Sequence, residues 1–159
     1  MKEKMSDEGF MREAIKASIN NIENNGGPFG AVIVKDGEVI AKSGNSVTND
    51  NDPTAHAEVN AIREASKKLG TFDLSGCTIY SSCEPCPMCL GAIYWAHLDK
   101  LVFANSKVDA KNIGFDDSFI YEEFKLDIKD RSIPTTQIMR DEAIIAFNKW
   151  TEKDDKLEY

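Results

Sequence analysis

This sequence lacks the features that would place a protein in a membrane or outside the cell. Its 159 residues contain no run of eighteen apolar residues, so we expect no membrane-spanning helix. The first eight residues have no apolar core, so we expect no signal peptide and a cytoplasmic location. Repeats and obvious linkers are also absent, and 42% hydrophobic with 29% charged residues is the composition of a globular protein. The length therefore predicts a single domain over residues 1–159.

The chain also lacks an excess of positive charge, and most of its cysteines are clustered rather than spread along the sequence. Lysine and arginine number 19 against 27 acidic residues, which gives a net charge of −8. Such a surface repels phosphate backbones, so we expect a small neutral substrate and no nucleic-acid partner. Three of the four cysteines, Cys83, Cys86 and Cys89, fall within seven residues. In a cytosolic chain this clustering favours metal binding over a disulfide framework.

Two short segments together predict a zinc site. The first is His-Ala-Glu at 56–58, and the second is Pro-Cys-Pro-Met-Cys at 85–89. One imidazole and two thiolates, from His56, Cys86 and Cys89, would provide three ligands. A structural zinc usually has four protein ligands, while a catalytic zinc keeps one position open for water. This spacing of His-x-Glu and Pro-Cys-x-x-Cys is typical of zinc-dependent nucleobase deaminases.

Glu58 is the candidate for moving protons at such a site. A single carboxylate can take a proton from water, deliver it to a ring nitrogen, and later protonate the leaving amine. Two other interpretations of the cysteines stay open: a thioredoxin-like redox pair, or a four-ligand structural zinc site that includes Cys83. Because Cys83 precedes a break at Glu84-Pro85, we expect it to lie off the helix face as a small buried residue.

The hydrophobic pattern predicts alternating helices and strands. A first helix ends at the break over residues 24–28, and later helices are expected from Thr54 to about Leu69 and from Pro85 to Trp95. The C-terminal third should contain helices over 118–124 and 141–150. Five strands are expected, over residues 31–34, 39–41, 77–80, 101–104 and 135–139. This order predicts a three-layer α/β/α fold with a five-stranded mixed sheet.

Beyond the zinc motif, the chain resembles the cytidine-deaminase-like superfamily and, within it, the bacterial guanine deaminases. The resemblance rests on five blocks: Gly26–Gly37, Asn51–Glu58, Ser82–Ala96, Gly114–Tyr121 and Lys156–Tyr159. It implies one CMP/dCMP-type deaminase domain with the cytidine-deaminase-like fold. It also implies a homodimer with one Zn²⁺ per subunit and a C-terminal segment swapped between subunits. The implied reaction converts guanine and water to xanthine and ammonia, in purine catabolism or salvage.

The resemblance also implies how a purine would be held. Phe29 would lie against the ring, Asn45 would hydrogen-bond the base through its amide, and backbone groups around Ala57 would help to orient it. Asp117 would bind the guanine amine and assist proton transfer at C2. Tyr159 would reach the base from the chain terminus, closing the pocket of the partner subunit.

Each of these roles has an alternative. Phe29 could be a core aromatic, Asn45 a turn residue, and Asp117 the N-cap of a helix that starts at Ser118. The family pattern is also the only reason to prefer Asp117 to Asp116. For the whole chain, the alternatives are a deaminase of the same fold acting on guanosine, another nucleobase or tRNA adenosine, and a non-catalytic zinc-binding module.

Overall fold

The computed structural model describes residues 5–159, which form two compact units divided after Asp117. Residues 1–4, part of the segment expected not to be a signal peptide, lie outside the described residues. The first unit contains α1 (Asp7–Glu23), β1 (Gly30–Lys35), β2 (Glu38–Gly44), α2 (Val47–Asp50), α3 (Ala57–Leu69), β3 (Cys77–Cys83), α4 (Pro87–Trp95), β4 (Lys100–Asn105) and α5 (Lys107–Asn112). The second contains α6 (Ser118–Phe124), a short 3₁₀ turn (Ile128–Asp130) and α7 (Arg140–Glu152).

The sheet is mixed, with the strand order β2-β1-β3-β4. β1 pairs antiparallel with both β2 and β3, while β3 and β4 run parallel. The expected fifth strand over 135–139 is wrong, because residues 5–159 contain four strands and this segment has no regular structure. A strand needs a neighbour that pairs with its backbone N–H and C=O groups. The regular elements of residues 118–159 are all helical, so the segment has no such neighbour in its own unit.

Helices cover both faces of the sheet, which confirms the three-layer α/β/α prediction. Val32 and Val34 on β1 pack with α1 on one face, and Ala31 and Ile33 pack with α3 and α4 on the other. This division follows from the period of two along a strand, which sends successive side chains to opposite faces. Because both faces are covered, β1 is apolar at every position from Ala31 to Val34.

A close approach brings α1 onto the sheet. A Cβ atom on Gly30 would lie 2.4 Å from the carbonyl oxygen of Ala14 and 2.6 Å from the backbone nitrogen of Ser18. Only glycine leaves room for the α1 backbone at this distance. The middle of α1 is thereby held beside the start of β1, which directly follows Phe29.

The two motif segments both lie at helix N-termini. His56 is the N-cap of α3, and Cys86 is the N-cap of α4, with Pro87 in the first turn. The expected start of α3 at Thr54 is two residues too early. The Thr54 hydroxyl instead donates a 2.7 Å hydrogen bond to Asp52 Oδ1 in the preceding turn.

The C-terminal unit confirms the two predicted helices, and these helices do not form a buried core. Neither α6 nor α7 contains a buried residue. Several large apolar side chains in this unit are exposed: Phe119, Phe124, Ile133, Ile138, Phe147 and Leu157. Across the described residues, no helix combines the length and apolar character needed to span a bilayer.

Candidate metal centre and active site

His56, Cys86 and Cys89 converge in space as the sequence predicted. Nδ1 of His56 lies 3.5 Å from the Cys86 sulfur and 3.3 Å from the Cys89 sulfur. All three possible ligand atoms lie within 4.8 Å of one another. Tetrahedral zinc, with bonds of about 2.1 Å to nitrogen and 2.3 Å to sulfur, places such atoms about 3.6 Å apart. The donor set and its spacing therefore fit a zinc ion that has three protein ligands.

The local structure explains why these side chains meet and why a thiolate is favoured. Cys86 and Cys89 stand three residues apart in the first turn of α4, where the helix dipole stabilises negative charge. Hydrogen bonds from Cys89 and then from His56 lower the pKa of Cys86 to about 4. The same contact raises the pKa of Cys89, and the hydrogen bond with Cys86 raises that of His56. All four cysteines are free, and the position of His56 Nδ1 beside both the Cys86 and Cys89 sulfurs favours the metal interpretation over a redox pair.

Glu58 is buried beside this group. Its side chain is in the first turn of α3, and the residue is 5% exposed. Oε1 lies 3.0 Å from the hydroxyl of Ser81, which also lies 2.7 Å from the carbonyl oxygen of Cys83. Burial is the main cause that raises the pKa of Glu58. A buried carboxyl group with a raised pKa has the properties of a general acid and base near neutral pH.

Cys83 does not join the metal group. It is buried at the end of β3, and its sulfur donates a 3.7 Å hydrogen bond to the carbonyl oxygen of Ser106. Burial, and then the charge of Glu58, raise the pKa of the Cys83 thiol to about 11. Among residues 5–159, the His/Cys group able to hold a metal contains three members and excludes Cys83. The alternative of a four-ligand structural site therefore lacks its fourth ligand.

Asn45 follows the last residue of β2 and is 9% exposed. Its backbone N–H donates to the Phe29 carbonyl at 3.3 Å, and its own carbonyl accepts from Asn21 Nδ2 at 2.8 Å. Its side-chain Oδ1 accepts from the backbone N–H of Val47 at 3.1 Å. Because Val47 can only donate here, the amide orientation is determined, and Nδ2 is the atom left to donate to a ligand.

Phe29 is half-buried and packs beside the 114–117 segment. Its ring meets that of Phe115 edge to face, with centroids 5.0 Å apart and an angle of 87° between the ring planes. This is a favoured aromatic geometry. The contact joins two of the blocks that carried the family resemblance.

The structure also separates the two neighbouring acids of that segment. Asp117 is half-buried, and its pKa is raised by burial and by the charge of Cys86, among other groups. Asp116 instead forms an ion pair with Lys111 at 3.9 Å. The charge of Cys86, one of the metal group, thus reaches Asp117.

The remaining predicted residues lie in different units. Ala57 is fully buried at the first position of α3, between His56 and Glu58, where an α-helix leaves backbone N–H groups without an intrahelical partner. Tyr159 ends the second unit and is 74% exposed. Its role at the base stays a prediction.

Sequence reasoning missed three polar residues that support the site: Ser81 behind Glu58, and Asn21 and Asn60 beside Asn45. Their contacts with Glu58 and with residues 44–46 span 14 to 24 residues along the chain, so local patterns do not reveal them. The available signal for Ser81 was its position, since a serine inside a buried strand needs a hydrogen-bond partner.

Residues 4–105 match the family model described as the cytidine and deoxycytidylate deaminase zinc-binding region. The chain belongs to this deaminase family. The agreement with the geometry is direct, because the matched region contains the His/Cys/Cys group that can bind a metal.

Relatives of this deaminase extend the match over the whole chain. It is 49% identical to guanine deaminase from Bacillus subtilis over 98% of its length and 100% of the relative's. The X-ray structure of that protein superposes with a TM-score of 0.95, covering 98% of this chain and 99% of the other. The protein NE0047, in its structure in complex with 2,6-diaminopurine, is 37% identical in sequence to this chain. The two structures superpose with a TM-score of 0.69 over 70% of this chain and 63% of that chain.

Proposed function

We propose that this deaminase hydrolyses guanine to xanthine and ammonia. The observation that carries the proposal is the 49% identity to a guanine deaminase over 98% of the chain, which extends well beyond the zinc motif. Within the first unit, the half-buried Asp117 supports it further, since a carboxylate there suits a substrate that presents an exocyclic amine. The reaction forms a bond from water oxygen to C2 of guanine. It breaks the bond from C2 to the amine nitrogen, and ammonia leaves.

His56, Cys86 and Cys89 would hold one zinc ion per subunit, and zinc when bound supplies the Lewis acid that makes water a nucleophile near neutral pH. Glu58 accepts the proton of the attacking water and delivers it to N3 of the ring. It then takes the remaining proton from the new C2 hydroxyl group and transfers it to the departing amine nitrogen, so that the C2 carbonyl forms as ammonia leaves. Its burial supports both roles, because a carboxyl with a raised pKa holds the proton between transfers.

The base would be held by groups from separate elements. Asn45 donates from Nδ2 to an acceptor atom of the purine, because its Oδ1 is already bonded to Val47. Asp117 accepts from the exocyclic amine and assists proton transfer at C2. Phe29 lies against the ring, and backbone groups at Ala57 orient it beside Glu58.

We also propose a homodimer in which the C-terminal segment is exchanged between subunits. The exposed apolar side chains of residues 118–159 support this, because apolar patches of this kind are found at interfaces between chains. In that assembly Tyr159 covers the base in the partner's pocket. Sedimentation of the full chain tests the assembly, and a monomer at all concentrations would reject it.

The proposed compartment is the cytoplasm. Four free cysteines, two of them needed as thiolates for the metal, suit a reducing environment. Cell fractionation tests this location.

The first experiment is an ultraviolet assay of the zinc-loaded protein with guanine, guanosine, cytosine and adenine in parallel. Conversion of guanine to xanthine, lost on chelation and restored by zinc, is the expected result. Turnover of another base without guanine would retain the zinc chemistry and reject the assigned substrate. Inactivity on all four despite bound zinc would favour a non-catalytic zinc-binding module.

A further inference from the structure

Two asparagine side chains hold the segment that carries Asn45. Asn21 comes from α1 on one face of the sheet, and Asn60 comes from α3 on the opposite face. Both are half-buried, and both donate to backbone atoms of residues 44–46 or their neighbours. We call these two residues the asparagine clamp.

Asn21 joins two loops through a single amide group. Its Nδ2 donates to the carbonyl oxygen of Gly27 at 2.7 Å and to that of Asn45 at 2.8 Å. Both hydrogens of the amide nitrogen are therefore used, and because both partners are acceptors the amide cannot be reversed. These two hydrogen bonds fix the distance between the loop before Phe29 and the residue that follows β2.

Asn60 completes the clamp from the other layer. Its Nδ2 lies 3.0 Å from the carbonyl oxygen of Gly44, 2.9 Å from the hydroxyl of Ser46 and 3.3 Å from the carbonyl oxygen of Ala55. Ala55 immediately precedes the metal ligand His56. Asn60 thus links the segment around Asn45 to the entrance of α3.

Two glycines leave no space between Asn21 and the loops. A Cβ atom on Gly26 would lie 2.3 Å from Asn21 Nδ2, and one on Gly44 would lie 2.3 Å from Asn21 Oδ1. A Cβ on Gly27 would contact both Phe29 and the Asn45 side chain, at 3.4 to 3.6 Å. The backbone at Gly26 and at Gly44 therefore packs directly against the Asn21 side chain.

We propose that Asn21 and Asn60 are positioning residues that hold Asn45 Nδ2 and the Phe29 ring in place for the purine, and so control substrate affinity more than the chemical step. The inference rests on the proposed function, which assigns Asn45 and Phe29 to the base. A binding group must be held within about 0.5 Å of its productive position to be effective. Neither clamp residue belongs to the metal group, so the clamp acts on binding while zinc content stays the same.

The test begins with Asn21→Asp, which keeps the shape but replaces both donors with an acceptor facing two carbonyl oxygens. We expect KM for guanine to rise about tenfold, the scale of losing the hydrogen bond from Asn45 to the base, with kcat changed less than about threefold. Asn60→Asp should act in the same direction. The matched control is Asn20→Asp, which adds the same charge to an exposed position of α1 and should change neither constant.

A second measurement separates positioning from general stability. In an Asn45→Ala background, Asn21→Asp should raise KM little further, because residues that act through one another are not additive. Additive effects, or a fall in kcat that parallels a fall in melting temperature, would overturn the proposal. Asn21→Ser, which avoids the buried charge, provides the same comparison should the aspartate variant fold poorly.

Binding provides a readout that does not depend on guanine turnover. The affinity for 2,6-diaminopurine, measured by calorimetry in a Glu58→Gln background, should fall about tenfold with Asn21→Asp and remain unchanged with Asn20→Asp. An unchanged affinity in both would overturn the clamp. Absence of guanine turnover by the unsubstituted protein would instead reject the proposed substrate, while this binding comparison still decides on the clamp.

Discussion

The two units of this chain differ in whether their apolar residues form a buried core. In residues 5–117, Ile33, Leu74 and Ile79 are fully buried between the sheet and its helices. In residues 118–159, Ile133 is 78% exposed and Phe147 is 71% exposed, and the helices contain no buried residue. A unit of roughly forty residues is too small to build a sufficient core by itself.

This difference bears on which unit positions the metal group and Glu58. The metal group and Glu58 come from helix ends that pack on the core of the first unit, so all four side chains belong to that unit. Tyr159 belongs to a unit without such a core. The role proposed for Tyr159 therefore depends on what covers the exposed apolar side chains of residues 118–159.

The largest expected effect tests whether the first unit carries the chemical step. Glu58→Gln keeps the side-chain volume but removes the proton acceptor, so kcat should fall about 10²- to 10⁴-fold with zinc content unchanged. Steady-state kinetics with metal analysis measures both quantities. Glu64→Gln, at an exposed position of the same helix, is the control. Near-normal turnover by Glu58→Gln would remove Glu58 from the mechanism.

A smaller effect is expected at the boundary between the units. Asp117→Asn removes a charged acceptor for the substrate amine, so kcat/KM should fall about 10- to 100-fold, the range for hydrogen bonds to charged groups. Asp116→Asn serves as control, because Asp116 is exposed and pairs with Lys111. If the two variants behave alike, the distinction between these acids is wrong.

The C-terminal unit should contribute binding without chemistry. Tyr159→Ala removes an aromatic ring from the base, so KM should rise about 2- to 10-fold while kcat is nearly unchanged, in line with the energy of one aromatic contact. Tyr159→Phe keeps the ring and should retain affinity. Equal KM values for all three proteins would reject a role for the terminal residue.

The smallest expected effect concerns stability of the first unit and its pH dependence. Tyr80 donates a 2.6 Å hydrogen bond to Asp7 Oδ1, and Lys100 approaches Oδ2 at 2.9 Å. The Tyr80 and Lys100 hydrogen bonds lower the pKa of Asp7 below 3.8. Burial, and then Asp7, raise the pKa of Tyr80 from 10.0 to about 12.

The signs of these shifts define a pH window. A lowered Asp7 pKa contributes stability above about pH 4 that is lost on acidification, and a raised Tyr80 pKa contributes stability that is lost between about pH 10 and 12. Tyr80→Phe should lower the melting temperature at pH 7 and weaken its fall at both extremes. Thermal unfolding across pH measures this, and an unaltered profile would show that the hydrogen bond does not stabilise the fold.

Local chemistry explains which features the sequence could predict. His56, Cys86 and Cys89 belong to short segments whose residue types favour helix starts and metal binding, and their convergence is confirmed. The layers also follow from pattern, since a run of four apolar residues predicts a strand covered on both faces. The predicted helix start at Thr54 was wrong because its hydroxyl bonds to Asp52 in the preceding turn.

Features that depend on distant partners could not be predicted in the same way. The segment 135–139 has the composition of a strand, but pairing requires a neighbour that its unit does not supply. Asn21 and Asn60 are ordinary helix residues until the fold brings residues 44–46 between them. The role of Ser81 depends on its hydrogen bond to Glu58, which lies 23 positions earlier in the chain.

The hydrogen bond from Val47 to Asn45 has a consequence for selectivity. Because the amide cannot turn over, Asn45 would present the hydrogen atoms of Nδ2 to a base bound in the proposed site. A heterocycle with a lone pair at that position accepts a hydrogen bond from Asn45 Nδ2. A heterocycle with its own N–H at that position would place two hydrogen-bond donors against each other. Sites of this kind can discriminate between compounds of equal size by orders of magnitude. The tautomer of a purine is therefore as important as its shape.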